Sequence, residues 1–217
     1  MTFFSKVLVA LATLLTLQLP AQAASFKEGV DYELLPQAGK VDVPGKLEVR
    51  EFFWFGCPHC FQLEQPLNEW RKKLPADVNF VRTPAPMNNN WVPHAHAFYV
   101  AESLGKLDEV SDKLFHALHV KKERVLDQAQ LATFFTQFGV SEQEFDKLYN
   151  SFAVRVKVRQ AGALAKTYRL RGVPALVVNG KYLVKAQQGQ TQEAMFPVIE
   201  YLLDKERQAG AASAPAQ

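Results

Sequence analysis

Phe52-Phe53-Trp54-Phe55-Gly56-Cys57-Pro58-His59-Cys60 joins an apolar run to a Cys-x-x-Cys tetrapeptide that holds both cysteines of the chain. Residues Leu47 to Phe55 are dense in β-branched and aromatic side chains on both faces, the pattern of a central strand covered on two sides. Phe61, Leu63, Leu67, Trp70 and Leu74 then recur at near-helical spacing, with Pro66 expected to kink the helix one turn in. A strand that feeds such a helix places Cys57 at the helix N-terminus. Unpaired N–H groups and the positive end of the helix dipole stabilise a thiolate there. The amides of His59 and Cys60 are in position to donate to the Cys57 sulfur. Pro58 falls in the first turn, where its missing N–H costs nothing and its ring stiffens the turn. His59 adds a donor beside the sulfur, or a full charge at low pH. Cys60, one turn inward, is expected to be buried, less reactive and the resolving thiol. All these effects favour the dithiol over the disulfide, so the pair reads as an oxidant that gives its disulfide away.

Other uses of two cysteines fit less well. A structural disulfide around a two-residue loop removes hardly any chain entropy. A c-type haem needs His after the second cysteine, where this chain has Phe61. Zinc needs two further ligands, and the only clusters on offer are His94 with His96 and His116 with His119, which are expected to be solvated positions on amphipathic helices. Neither a metal nor a bound cofactor is expected beyond the redox pair itself.

The first residues indicate export. Lys6 precedes an apolar stretch from Val7 to Leu19, and Ala21-Gln22-Ala23 supplies small residues for a signal peptidase. The stretch is short for an uncleaved membrane anchor, the alternative reading. Residues 1–23 are therefore expected to be a signal, cleaved near Ala23, which puts the cysteines in an oxidising compartment. The chain is 48% hydrophobic, enough to build a core without staples. Its formal charge is +3, which becomes +2 when the signal and its single Lys6 are removed. That value, with the charges interspersed, gives no ground for nucleic-acid or membrane binding.

Downstream, Asp77 to Thr83 alternates as a second strand that Pro84-Ala85-Pro86 closes. From Trp91 to Arg169 the pattern is helical. Asp127 with Gln130 and Ser141 with Glu144 read as capping boxes, and bulky residues at helical spacing, Phe145, Leu148, Tyr149 and Phe152 among them, read as core. Ala161 to Leu170 is expected to form a further helix. Pro174 to Val178, the turn Asn179-Gly180 and Lys181 to Val184 form a hairpin, and a last helix runs from Thr191 to Glu206. The class is α/β. A βαβ part (24–86) and a ββα part (164–207) flank an all-helical insertion (87–163), and a tail (208–217) has nothing to bury and is expected to be disordered.

The FxxFGCPHC segment, Gly172-Val173-Pro174 before a buried strand and an Asn-Gly hairpin, and the helical block between them resemble the DsbA family of periplasmic thiol–disulfide oxidoreductases. That resemblance covers nearly the whole mature chain. It implies a thioredoxin fold, a central mixed sheet flanked by helices, with an inserted helical domain. It also implies a low-pKa attacked cysteine and a strongly oxidising disulfide. Glu51 matches the family's buried acid beneath the active site, which exchanges protons as the buried cysteine attacks a mixed disulfide; by residue type alone it could as well be a partly exposed carboxylate paired with a base. The matching base is Arg82, where the family often has Lys, and an arginine cannot lose its proton. Val173-Pro174 matches the cis-proline loop of thioredoxin folds, where the Val173 backbone would pair with an extended substrate chain. Substrates are then newly exported proteins with free thiols, the protein works as a monomer, and a DsbB-type quinone-linked membrane protein reoxidises it. A disulfide isomerase or reductase is the neighbouring alternative, although residues 24–46 leave no room for a dimerisation module. A peptide-binding chaperone with an incidental disulfide is the alternative outside this class.

Overall fold

A computed structural model describes residues 26–213. The signal segment and its cleavage site lie outside the described residues, as does the end of the tail from 214.

Strand β2 (Leu47–Phe53) is central, as its composition requires. It pairs in parallel with β3 (Val78–Pro84) and antiparallel with β4 (Ala175–Val178). Strand β4 pairs with β5 (Tyr182–Val184), and β5 with the short β1 (Glu33–Leu34), both antiparallel. The mixed sheet has the order β1-β5-β4-β2-β3. Asn179 and Gly180 join β4 to β5 with φ of 49° and 64°, the left-handed pair that a tight hairpin demands.

Helix α1 (Pro58–Arg71) carries out the parallel crossover from β2 to β3 and continues unbroken through Pro66. Helix α7 (Met195–Ser213) lies beside it, with Trp70 stacked on Phe196 at 4.9 Å. Leu63 and Leu67 of α1 and Ile199, Leu202 and Leu203 of α7 bury Val49, Leu176 and Val178 of the sheet. Between β3 and β4 come α2 (Val92–Ser103), α3 (Leu107–His119), α4 (Gln128–Phe135), α5 (Glu142–Tyr149) and α6 (Phe152–Thr167). They close around Phe98, Phe115, Leu131, Phe135 and Phe145, and this core continues into Phe53, Phe55 and both cysteines. The end of α6 returns to the sheet, where Tyr168 meets Phe52 edge to face at 5.7 Å.

The predicted caps form: Asp127 accepts from the Gln130 amide and Ser141 from that of Glu144. Three expectations fail, and one strand went unforeseen. Phe152 is not an inward residue of α5. Ser151 caps a new helix by accepting from the Val154 amide, and Phe152 at its start is 71% exposed. The separate helix expected over 161–170 is the second half of α6, which ends before Arg169 takes a φ of 50°. Strand β1 was not anticipated, because two residues carry no periodicity; the edge of β5 holds it. Finally, α7 runs on to Ser213, so residues 208–213 are helical where a disordered tail was expected.

Candidate active site

Cys57 is the N-cap residue of α1, extended at φ −86° and ψ 118°, and Pro58 opens the helix. The turn leading into it is tight: the Cys57 amide donates to Trp54 O at 3.0 Å. A β-carbon on Gly56 would lie 2.2 Å from the Trp54 indole, so only glycine fits there. Both cysteines are thiols, and they differ sharply. Cys57 is 7% exposed and Cys60 not at all. The Cys57 thiol falls to about 6, chiefly because the Cys60 side chain donates to it, then through the Cys60 and His59 amides and the His59 charge, all against a burial that would raise it. Burial, reinforced by Cys57 and by the negative charge of Glu51, pushes Cys60 well up. The Cys57 Sγ lies 3.4 Å from Val173 O, and the Val173-Pro174 peptide is cis. Exposed His59 is held through Nδ1 at 3.2 Å from Gln62 Oε1, one turn along α1.

Beneath the pair, Glu51 on β2 is wholly buried opposite Arg82 on β3. Arg82 Nε donates to Glu51 Oε2 at 2.7 Å, and its two terminal nitrogens donate to both oxygens of Glu64 at 3.0 and 2.7 Å. The guanidinium lies 4.4 Å over the Phe53 ring. Glu51 Oε1 has no hydrogen-bond partner among the described residues. Burial pushes the Glu51 carboxyl above its usual range, Arg82 opposes that, and the second carboxylate on the same guanidinium reinforces it.

Residues 80–196 match the DSBA-like thioredoxin domain. The thiol:disulfide interchange protein DsbA of Pseudomonas syringae pv. tomato is 41% identical over 194 residues, which cover 89% of this chain and 91% of that protein. The crystal structure of Pseudomonas aeruginosa DsbA superposes with a TM-score of 0.80 at 38% identity, over 86% of this chain and 97% of that one. A Proteus DsbA with a non-covalently bound peptide superposes at 0.69 and 28% identity, over 83% of this chain and all of the other. The chain belongs to the DsbA family.

This DsbA-family protein is accordingly a thiol:disulfide oxidoreductase of the disulfide-donating kind, built on the thioredoxin fold the sequence suggests. Its histidines correct the sequence reading. Only His116 of the two pairs is exposed. His94 is 1% exposed and its Nε2 donates to Val125 O at 2.7 Å; burial lowers its pKa. His96 donates from Nδ1 to Tyr149 O at 2.9 Å. His119 donates to Phe55 O at 2.7 Å and stacks on Phe61 at 5.0 Å, tying α3 to both sides of the Cys-x-x-Cys turn. These rings pin backbone carbonyls, which a stripe on a helical wheel cannot reveal. Among the described residues no group of three or more His, Cys, Asp or Glu is arranged to hold a metal ion.

Sequence reasoning also missed Glu64 and Gln62. The signal for Glu64 was an acid four residues after Cys60, beside Leu63 and Leu67, on the face of α1 that must meet the sheet. No helix among the described residues is long and apolar enough to cross a membrane.

Proposed function

We propose that Cys57 is the sulfur attacked by substrate and that Cys60 is its resolving partner. In the disulfide form, a substrate thiolate attacks Cys57. The Cys57–Cys60 bond breaks, Cys60 leaves and takes up a proton, and a mixed disulfide forms. A second substrate thiolate then attacks the substrate sulfur and expels Cys57 as a thiolate. Two electrons pass to the protein, and the substrate holds a new disulfide. The asymmetry of the two sulfurs carries this reading: a thiol near 6 is a good leaving group at neutral pH, whereas Cys60 is sealed from substrate.

The remaining site residues take supporting roles. Pro58 and His59 hold and polarise the Cys57 turn. Glu51, raised by burial, exchanges a proton with Cys60; the fixed charge of Arg82 leaves the carboxyl as the only group of that pair able to do so. Val173 and Pro174 flank the sulfur where a substrate chain would lie, consistent with the peptide carried by the Proteus relative. The division 24–86, 87–163, 164–207 separates the two thioredoxin parts from the helical insertion, although α6 passes through 163–164. The signal-like residues 1–23 support export to the periplasm with cleavage near Ala23. There the protein acts as a monomer on unfolded or folding exported proteins with free thiols. It uses its redox disulfide and no other cofactor, and a DsbB-type quinone oxidoreductase reoxidises it.

The test is to mix the disulfide form with a reduced, unfolded client, quench in acid and map the mixed disulfides by mass spectrometry. All cross-linked peptides should contain Cys57. Cross-links through Cys60 would reverse the assignment.

A further inference from the structure

Three concavities meet edge to edge on one face of the molecule. The first, about 520 Å³, lies beside His59, Val173 and Pro174. It shares Leu170 with a second of about 370 Å³, which in turn shares Pro86, Gly162 and Lys166 with a third of about 560 Å³ against α6. Among the described residues no acidic side chain lines any of them. Arg171 and Lys185 border the first, Arg169 and Lys166 the second, and Arg155 and Arg159 the third. Of these six, Lys185 alone has an ion-pair partner among the described residues, Glu33 at 2.6 Å.

Composition does not account for this. The whole chain has 25 basic against 22 acidic residues, an excess of three, yet this one face gathers six cations. The order of α6 explains how. Arg155, Arg159 and Lys166 are spaced four and seven apart, which puts them on one stripe, and the helix contains no acid. Gly162, between them on the same stripe, keeps the channel open: a β-carbon there would stand 3.4 Å from Pro86. Along α6 alone the cations span about 16 Å, the reach of about five extended residues.

We propose that this channel binds an acidic, extended polypeptide segment and holds it in line with Cys57, so that thiols flanked by Asp and Glu are the preferred substrates. The inference rests on the donor reading above. A polypeptide fits better than a membrane, because a chain can enter a concave path with Pro86, Val92 and Val158 in its walls, whereas a bilayer surface cannot follow one. Continuity with the cleft beside the cysteines adds that the same chain reaches the sulfur.

A fluorescent, cysteine-free peptide with five consecutive glutamates, titrated with the protein, tests the channel without a redox step. It should bind at low salt and lose binding in about 0.5 M salt, where screening shortens to about 4 Å. Arg159→Gln with Lys166→Gln should weaken it about tenfold, while Lys40→Gln with Lys147→Gln, exposed elsewhere with the same net charge change, should not. Joined to a cysteine pair, the acidic segment should be oxidised about tenfold faster than its serine counterpart at low salt. Equal binding of the glutamate and serine peptides, equal loss in both double variants, or sedimentation with vesicles of anionic phospholipid without peptide preference would overturn the proposal. If no peptide is oxidised at all, the donor reading falls, and the cysteine-free titration still decides the channel.

Discussion

Glu51 and Arg82 face each other across the parallel β2–β3 pair, joined by a 2.7 Å hydrogen bond between side chains that are 1% and 7% exposed. The guanidinium also holds Glu64, so one buried cation serves two carboxylates and a proton on Glu51 relieves the excess charge. The active-site base of the fold thus stores an ionisable group directly beneath the cysteine turn.

Replacing Arg82 by Met should cost about 3–5 kcal/mol at neutral pH, because it strands the buried Glu51 carboxylate and the half-buried one of Glu64. The Glu51 carboxyl, already raised by burial, would lose the arginine that opposes the rise. Its protonated form stabilises the fold below that raised range, and the contribution disappears as pH rises. Denaturant midpoints should therefore show the variant recovering toward the parent as pH falls from 7 to about 4.

Glu51→Gln keeps a partner for Arg82 Nε but removes the exchangeable proton. The Cys57 alkylation midpoint should stay in place, since Glu51 is not among its causes. Resolution of a preformed mixed disulfide by Cys60 should slow on the order of tenfold or more. Single-turnover release of a labelled thiol from Cys57 checks it; unchanged release would assign Glu51 a purely structural role.

Alkylation of the reduced protein should titrate with a midpoint about 6, and Cys60 should remain unmodified in the native state. Because the Cys60 thiol is the largest lowering cause, Cys60→Ala should raise the midpoint more than His59→Ala does. The reverse order would make the histidine charge the main source of activation.

The thiolate also makes reduction stabilising. A thiol held at about 6 when folded and near 9 when unfolded contributes stability that is complete above about 9 and is lost as pH falls through 6. At pH 7 this amounts to about 1 kcal/mol after allowance for solvent screening. The disulfide form has no thiolate and lacks the term. Reduced and oxidised denaturant midpoints should diverge from pH 6 upward, with the dithiol form more stable.

Much of this was legible in residue order. The cysteine turn is local: strand, glycine, cysteine, proline at the first helical position. Each residue acts on neighbours within one turn, so spacing alone locates the thiolate. The Asn179-Gly180 hairpin and the caps at Asp127 and Ser141 are local in the same sense. Phe152 misled because a capping serine can restart a helix in a new direction without disturbing the apolar period.

Sequence by itself determined the α/β class, the helix-capping cysteine pair and the acid on the central strand. These follow from backbone periodicity and from hydrogen-bond and charge effects that act over a few residues. Only the tertiary structure decided which distant groups complete them. It set Glu64 and Glu51 on one guanidinium, placed Val173 O at the Cys57 sulfur across 116 positions of chain, turned His94 and His119 inward onto carbonyls, and drew cations scattered from 155 to 185 into one channel. Such contacts depend on how the layers pack and on which charges are cut off from water. Burial and distance are properties of the folded surface, and no local period encodes them.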